Sequence, residues 1–98
     1  MILLYVIYNF SCKETEKIWN QIFSKKFPND IQDITLRKLI MINRATDVKD
    51  LKIPPGNRLE KLKGNMKDYY SIRVNEQWRI CFIWKNDKAI NVQLVDYH

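Results

Sequence analysis

The chain has 98 residues, which suffices for one hydrophobic core but not for two, so we expect a single domain over residues 1–98. Lysine and arginine total 17 against 11 acidic residues. The net charge of +6 indicates an anionic partner, with nucleic acid first and a membrane surface second, unless the basic surface is merely solvated. Two cysteines and one histidine make neither a disulfide framework nor a zinc site, and free thiols suit a reducing, cytoplasmic compartment.

The first eight residues are apolar and are predicted to form a β-strand. They lack the basic start and the small-residue cleavage site of a secretory signal peptide. The apolar run is also too short to cross a bilayer, so we expect no membrane-spanning segment here.

The first helix is predicted to begin at Ser11, because Ser11 and Glu14 have the spacing of a capping box. Pro28 would end this helix, since the residue before a proline avoids helical backbone angles. The apolar residues recur with a helical period and are interpreted as core rather than as a partner surface. These residues are Ile18, Trp19, Ile22 and Phe23.

The second helix is predicted to begin at Asn29 or Asp30, either of which can cap it, and to end at about Ala45. Its apolar residues again follow a helical period and are interpreted as core. They are Ile31, Ile34, Leu36, Leu39, Ile40 and Ile42.

A connection follows the second helix. One helical turn is predicted over residues 47–51, and residues 54–56 form a rigid Pro-Pro-Gly break. Residues 58–63 are predicted to form a strand, after which residues 64–65 turn the chain.

The last third of the chain contains three runs that are rich in β-branched and aromatic residues, at residues 69–74, 78–84 and 89–98. Polar segments at residues 75–77 and 86–88 separate these runs and have the composition of turns. The pattern therefore predicts three strands joined as an antiparallel meander.

The register of these strands follows from the two turns. Three-residue turns pair Ile72 with Ile80 across the first hairpin, and Trp84 with Ile90 across the second. We favour this register because it collects the apolar side chains on one face, where helices can cover them. That face contains Tyr70, Ile72, Ile80, Phe82, Val92 and Leu94. The predicted fold is α+β, with two N-terminal helices packed on one face of a mostly antiparallel sheet.

The same register places Arg73 directly opposite Arg79 on the other face of the sheet, together with Tyr97. Like charges that face each other across a strand pair are unfavourable. Either both guanidinium groups extend into water, or a negative group lies between them. The second arrangement would suit a phosphate.

Three segments resemble a known family. They are residues 54–65 (PPGNRLEKLKGN), residues 70–82 (YSIRVNEQWRICF) and the terminal residues 95–98 (VDYH). In combination they resemble the HigB-type toxins of the RelE/ParE superfamily of bacterial toxin–antitoxin systems. The resemblance extends from about Ser11 to the end of the chain.

This resemblance implies a ribosome-dependent endoribonuclease, an mRNA interferase, that cuts message during translation without a metal or other cofactor. It also implies three partners: the ribosome, the mRNA and a cognate helix-turn-helix antitoxin of the HigA type that holds the toxin inactive.

The resemblance also implies roles for individual residues. The catalytic residues would be Lys63, Arg79, Asp96, Tyr97 and His98. Separately from the resemblance, we predict that the basic residues Arg58, Lys61 and Arg73 of the same region bind RNA. Some relatives carry a histidine where this chain has Glu60, which leaves His98 as the imidazole of the site.

These residue types suit RNA cleavage for independent reasons. When the 2′-hydroxyl of RNA is the nucleophile, the reaction needs a base near it, cations for the charge that develops on phosphorus, and an acid for the departing 5′-oxygen. Histidine titrates near neutral pH, and arginine offers a planar, permanently charged fork to phosphate oxygens. Fixed cations aimed at developing charge are often the largest catalytic contribution.

Two other functions remain open from the sequence. One is a ParE-like toxin that poisons a DNA topoisomerase, although the terminal Asp96, Tyr97 and His98 favour the nuclease. The other is a non-enzymatic, basic RNA-binding module, which would keep salt-sensitive RNA affinity and would not need His98.

Overall fold

The structure, a computed structural model, describes residues 3–97 and confirms the predicted α+β class. Two helices precede a four-stranded antiparallel sheet with strand order β1-β2-β3-β4 in the described residues. The helices are α1 (Lys13–Trp19) and α2 (Asn29–Arg44), and the strands are β1 (Glu60–Lys61), β2 (Tyr69–Arg73), β3 (Trp78–Lys85) and β4 (Lys88–Asp96). Three short 3-10 helices lie in the connections, at Val48–Lys52, Pro55–Asn57 and Gly64–Met66.

The register predicted for the first hairpin is confirmed. Ile72 pairs with Ile80 and Arg73 pairs with Arg79, directly across β2 and β3. The turn has the three predicted residues, because the Val74 amide donates to the carbonyl of Trp78 at 2.9 Å. The two arginines are therefore opposed, as the sequence predicted.

The second hairpin has a different turn from the one predicted. Its loop contains two residues, Asn86 and Asp87, with φ angles of 54° and 60°. Positive φ at both positions is typical of the type I′ turn, whose twist matches that of the flanking strands. The register near the turn is consequently shifted by one residue, so that Trp84 pairs with Ala89 and not with Ile90.

A β-bulge corrects this shift further along β4. The register changes between Cys81 and Ile83, and Asn91 takes a left-handed φ of 55° at this point. One additional residue of β4 therefore lies opposite β3. Beyond the bulge Ile80 pairs with Leu94, as predicted. The predicted register of the second hairpin was therefore wrong beside the turn, and it was correct at the end of β4 that leads to Tyr97.

The predicted apolar face of the sheet forms the core with the helices. Ile72, Ile80, Phe82 and Val92 are fully buried, and they belong to one cluster with residues of α1 and α2. The amide of Leu94 donates to the Thr15 hydroxyl at 3.0 Å, which attaches α1 to β4.

The start of α1 differs from the prediction. The helix begins at Lys13, with Cys12 in the cap position and no side-chain cap. The Ser11 hydroxyl donates instead to the carbonyl of Asn91, and Glu14 accepts a hydrogen bond from Ser24. The capping box is absent because both of its side chains bind other parts of the chain.

The end of α1 also differs. The helix ends at Trp19 rather than near residue 27, because Gln21 takes a left-handed φ of 61°. The amides of Gln21 and Ile22 donate back to the carbonyls of Ile18 and Lys17. This is the paired bonding of a Schellman motif, which closes a helix. Ile22 and Phe23, predicted as core, are 55% and 58% exposed.

Two predicted strands are shorter than expected. Residues 3–10, the described part of the N-terminal segment, make only isolated parallel bridges beside β4, between Ile7 and Ala89 and between Phe10 and Val92. The strand predicted over residues 58–63 is reduced to Glu60–Lys61. By contrast, α2 has nearly the predicted bounds. Within residues 3–97, no helix has the length and apolar character that crossing a membrane requires.

Candidate active site

Arg79 lies near the start of β3 on the sheet face that the helices leave uncovered, yet the residue is only 6% exposed. Its Nε donates to the Ser71 hydroxyl at 2.8 Å. Its Nη2 donates to the carbonyl oxygens of Arg58 at 2.6 Å and Ser71 at 3.3 Å. The guanidinium does not extend freely into water, because these three bonds fix its plane and position.

The other terminal nitrogen of Arg79, Nη1, makes no hydrogen bond within the described part of the chain. No buried side-chain nitrogen or oxygen in residues 3–97 lacks a partner, so Nη1 is not fully shielded from solvent. The side chain therefore keeps a charged donor for an incoming anion while its remaining N–H groups hold it in place.

The carbonyl of Arg58 reaches Arg79 because of the local backbone conformation. Arg58 follows the 3-10 turn Pro55–Asn57 and is left-handed, with φ 45° and ψ 53°. The fully buried Asn57 donates to the carbonyl of Leu51 at 3.1 Å, which anchors this turn to the preceding segment. Arg58 thus contributes a backbone acceptor to the site, a role that the sequence did not reveal.

Glu60 is the acidic group of the site. Its Oε1 lies 3.7 Å from Nη2 of Arg79 and accepts a hydrogen bond from the Tyr97 hydroxyl at 3.1 Å. The Tyr97 ring centroid lies 5.2 Å from Cζ of Arg79, within the range of a cation–π contact. The hydrogen bond to Glu60, together with the negative charge of that carboxylate, raises the pKa of Tyr97. The negative group expected near the arginines is therefore beside Arg79, and it belongs to the protein.

Two surface clefts meet at Tyr97. One has a volume of about 230 Å³ and is lined by Arg58, Arg73, Asn75, Glu76, Arg79 and Tyr97. The other has a volume of about 360 Å³ and is lined by Glu60, Lys61, Leu62, Lys63, Met66 and Tyr97. Arg73 and Lys63 therefore line two different clefts that share Tyr97.

The arginine pair is unequal. Arg73 is half-buried and, within residues 3–97, its side chain makes neither a hydrogen bond nor an ion pair. Its neighbour Arg79 is buried and bonded through two nitrogens. Arg73 can therefore turn toward a ligand, whereas Arg79 is held in one orientation.

Lys61 and Asp96 project from the other face of the sheet, although Lys61 also lines the cleft that contains Lys63. Lys61 pairs with Tyr70, a residue of the helix-packed face, and its Nζ lies 4.6 Å from the centre of the Tyr70 ring. Asp96 pairs with Trp78 and accepts a hydrogen bond from Gln77 at 3.1 Å. Both residues are close to the site along the chain, but neither side chain shares the sheet face of Arg79.

His98, the predicted imidazole of the site, lies outside the described residues. Cys81 shares the face of Arg79, but burial raises the pKa of its thiol to about 11, so it supplies no thiolate at neutral pH. Within residues 3–97, no cluster of three or more His, Cys, Asp or Glu side chains is arranged to hold a metal ion.

The sequence did not identify Ser71 as a ligand of Arg79, or Glu60 as a member of the cluster. A signal for both exists in the pairing. Ser71 pairs with Glu60 on one side and with Cys81 on the other, so both polar residues project from the face of Arg79. The predicted register of β2 already puts Ser71 on this face, and a correct alignment of β1 would have added Glu60.

Comparison with known proteins gives a consistent result. The family described as "RelE-like toxin of type II toxin-antitoxin system HigB" matches residues 8–98. Toxin HigB-1 of Vibrio cholerae is 46% identical over 67 residues, which cover 68% of this chain and 70% of that protein. An uncharacterized protein of Haemophilus influenzae is 38% identical over 69 residues, covering 70% of this chain and 68% of that protein.

The fold is shared with a solved structure. A chain of the heterotetrameric YoeB–YefM toxin–antitoxin complex from Staphylococcus aureus superposes with a TM-score of 0.57 and covers 99% of both chains. The sequence identity is 21%, so this likeness concerns the fold alone.

Proposed function

Because this chain belongs to the HigB-like family of RelE-like toxins of type II toxin–antitoxin systems, we propose that it is an endoribonuclease that cuts mRNA on the ribosome. The observation that carries this proposal is the fixed guanidinium of Arg79, with Tyr97 beside it and the cations Lys63 and Arg73 in the two clefts that share Tyr97. A chain of phosphates is the ligand that such a row of cations around an aromatic ring suits best.

In the proposed reaction, the 2′-hydroxyl of one nucleotide attacks the adjacent phosphorus. The new bond closes a 2′,3′-cyclic phosphate as the bond to the 5′-oxygen of the next nucleotide breaks. The proton of the 2′-hydroxyl passes to a base, and the 5′-oxygen receives a proton from an acid. Arg79 stabilises the additional charge on the non-bridging oxygens, while Lys63 and Arg73 hold the neighbouring phosphates.

Tyr97 and His98 are proposed to handle the protons. The raised pKa of Tyr97 keeps its hydroxyl protonated at neutral pH, which makes Tyr97 a hydrogen-bond donor and not a phenolate base. His98 is the remaining side chain of the group whose ordinary pKa suits proton transfer near neutrality. Asp96, which faces away from Arg79, would orient the end of the chain rather than contact RNA.

The proposed partners follow from the family. A cognate helix-turn-helix antitoxin of the HigA type would hold the toxin inactive, and the ribosome would present the message, both in the cytoplasm. The backbone of Arg58 already accepts a bond from Arg79, so its side chain is proposed only as a peripheral RNA contact. Lys61, which lies over Tyr70, is proposed as a contact for RNA or ribosome beyond the reaction centre.

The test is primer extension on mRNA from cells in which the chain is induced. We expect discrete cuts within reading frames, and we expect Lys63→Ala or removal of His98 to abolish them. Lys67→Ala is the matched control, because Lys67 is exposed nearby but lines neither cleft, and it should cut as the wild type does.

Other outcomes of this experiment would contradict the proposal. Intact message with DNA damage would indicate a ParE-like topoisomerase poison. Growth arrest with intact message and intact DNA, unchanged when His98 is removed, would indicate a binding module without nuclease activity.

A further inference from the structure

Lys38 is a cation of α2 that binds an uncharged partner. Its Nζ donates to the side-chain oxygen of Asn57, and within residues 3–97 no carboxylate forms an ion pair with it. Lys38 is half-buried, and this burial, together with the nearby charge of Arg37, lowers the pKa of its ammonium group. A half-buried cation without a carboxylate loses hydration and gains no ion pair, so stability alone does not account for a lysine at this position.

Asn57 is fully buried, and both ends of its side-chain amide are bonded. Its Oδ1 accepts the hydrogen bond from Lys38, and its Nδ2 donates to the carbonyls of Leu51 at 3.1 Å and Ile53 at 3.3 Å. These bonds attach the 3-10 turn Pro55–Asn57 both to α2 and to the segment that precedes the turn.

The residue that follows Asn57 makes the contact with Arg79. Arg58 has a left-handed backbone conformation, which is unfavourable for a residue with a Cβ atom and persists only where its surroundings enforce it. Its amide donates to the carbonyl of Pro55 at 3.0 Å, and its own carbonyl accepts the 2.6 Å bond from Nη2 of Arg79. The direction of this carbonyl, and with it one of the bonds that hold Arg79, therefore depends on the turn that Asn57 anchors.

A second buried asparagine anchors a segment that has no bond to Arg79. Asn43 of α2 is 2% exposed, its Oδ1 accepts bonds from the amides of residues 5–7, and its Nδ2 donates to the carbonyl of Leu3. The segment that Asn43 holds runs beside β4 and makes no hydrogen bond to Arg79 in the described chain. Comparing Asn43 with Asn57 therefore separates the anchoring of a loop from the positioning of Arg79.

We propose that Lys38 and Asn57 are positioning residues for Arg79, because they hold the Arg58 carbonyl where it accepts the bond from Nη2. Neither residue contacts RNA in this proposal, since Asn57 is fully buried and Lys38 lines neither of the two clefts that share Tyr97. The expected effect on message cutting rests on the proposed nuclease function. The expected effect on the guanidinium of Arg79 does not, and it can be measured without RNA.

The first measurement is the rate at which the Nε proton of Arg79 exchanges with water, observed by nuclear magnetic resonance on the ¹⁵N-labelled chain. The loss of one signal in Arg79→Lys identifies this proton, which the Ser71 hydroxyl protects in the wild type. We expect Lys38→Met to raise the exchange rate about fivefold and Asn57→Ala to raise it at least ~10-fold, because weakening a hydrogen bond of ordinary strength has effects of this size. Lys38→Met keeps most of the aliphatic stem, so it decides the question even if Asn57→Ala does not fold.

Each variant has a matched control on α2. Arg44→Met removes an exposed cation from the same helix, as Lys38→Met removes a half-buried one. Asn43→Ala removes the other buried asparagine, so it should lower the free energy of unfolding as Asn57→Ala does. Neither control should change the exchange rate of the Arg79 proton, because neither residue is connected to the Arg58 carbonyl.

The second measurement is the rate of message cutting by the purified chain on ribosomes programmed with a single message. Lys38→Met and Asn57→Ala should lower kcat by about tenfold, since a displaced guanidinium stabilises the developing charge less well. KM should change by less than about twofold, because binding of the message does not involve either residue. Arg44→Met and Asn43→Ala should have the kcat of the wild type.

Three results would overturn the proposal: an unchanged exchange rate in Lys38→Met, equal increases in the controls, or a higher KM with an unchanged kcat. The last result would mean that Lys38 and Asn57 affect RNA binding and not the position of Arg79. Failure of the wild-type chain to cut any message would instead refute the proposed nuclease function. The exchange rates would then still decide whether Lys38 and Asn57 position Arg79, so the two failures are distinguishable.

Discussion

Neighbouring residues of β3 show how differently the two faces of the sheet are stabilised. Ile80 is 0% exposed and Arg79 is 6% exposed, so both are buried. Ile80 lies in the apolar cluster beneath the helices, where removal of hydrocarbon from water provides the stabilisation. Arg79 is covered by β1, Tyr97 and the Arg58 carbonyl, and its burial is tolerable only because hydrogen bonds compensate its lost hydration.

The comparison shows that the helix face stabilises the fold by burying apolar side chains, whereas the other face positions the charged guanidinium of Arg79. A side chain on the helix face can be replaced by another of similar volume, because its contacts are non-directional. Arg79 cannot be replaced in the same way, since its bonds to Ser71 and Arg58 require the guanidinium fork. Substitutions on the helix face should therefore change stability, whereas those on the Arg79 face should change activity.

The largest effect is expected from Phe82→Ala on the helix face. Phe82 is fully buried between the rings of Tyr70 and Trp84, at centroid distances of 6.2 Å and 6.5 Å. Its truncation should lower the free energy of unfolding by about 3–5 kcal/mol, measured by urea denaturation. Phe23→Ala is the control, because Phe23 is 58% exposed and should change stability by less than ~0.5 kcal/mol. Similar losses in both variants would contradict the assignment of the core.

The second-largest effect is expected from Arg79→Lys on the other face of the sheet, and it concerns the rate of message cutting. Lysine keeps the charge but cannot donate to the Ser71 hydroxyl and the Arg58 carbonyl while also reaching a phosphate. We expect the rate of message cutting to fall about 100-fold or more, as when a donor to the developing charge is removed. Stability should fall by only about 1–3 kcal/mol, the cost of unsatisfied acceptors.

Arg73→Lys is the matched control for Arg79→Lys, because Arg73 lies directly opposite and its side chain makes no hydrogen bond or ion pair in residues 3–97. The cutting rate of Arg73→Lys should change by less than about tenfold, since a phosphate contact at a half-buried side chain without fixed hydrogen bonds tolerates either cation. Equal rates in Arg79→Lys and the wild type would remove Arg79 from the reaction.

A smaller effect is expected when Arg73 is removed entirely. With a 2′-O-methyl RNA oligomer that cannot be cut by 2′-hydroxyl attack, Arg73→Ala should reduce the slope of log K against log salt concentration by about 0.7, one phosphate contact on a single strand. Fluorescence anisotropy at several salt concentrations measures this slope. Lys49→Ala, an exposed lysine of the 3-10 helix Val48–Lys52, should leave the slope unchanged.

The sheet was predictable from the sequence because its pattern has one dominant solution. The alternation of apolar residues around Ile72 and Ile80 excludes every register that buries Arg79 under the helices, and the structure has the predicted pairing. The second hairpin was predictable only in part. A two-residue turn with a bulge at Asn91 and a three-residue turn without one give the same pairing of Ile80 with Leu94.

The helix end and the details of the site were not predictable, for a different reason. Ser11 and Glu14 have suitable capping side chains, but Asn91 and Ser24 compete for them from distant positions. Likewise Gln21 gives no signal of a left-handed conformation, which glycine usually provides. The Arg58 carbonyl reaches Arg79 through the same kind of backbone conformation. Partners distant along the chain decided the use of the capping side chains, and left-handed residues without glycine decided the other two points, so the local sequence gives no signal for any of them.

The smallest expected effect is a shift of the pKa of Tyr97, which decides whether this side chain is a neutral phenol or a phenolate during the reaction. The hydrogen bond to Glu60 and the charge of that carboxylate raise the pKa of Tyr97 above its usual 10.0. Because folding raises the pKa of Tyr97, the hydrogen bond from Tyr97 to Glu60 stabilises the folded state below pH 10. This contribution is lost as the pH rises through the pKa that Tyr97 has in the folded protein. Subtracting the ultraviolet absorbance titration of Tyr97→Phe from that of the wild type isolates the curve of Tyr97.

We expect the midpoint of this difference curve to lie above 10.0, and we expect Glu60→Gln to lower it toward 10.0 because the carboxylate charge is removed. A midpoint at or below 10.0 in the wild type would mean that Arg79, whose charge favours the phenolate, outweighs Glu60. Tyr97 could then serve as a base. With the expected sign, Tyr97 retains its proton at neutral pH and acts on RNA only as a donor, which leaves removal of the 2′-hydroxyl proton to another group.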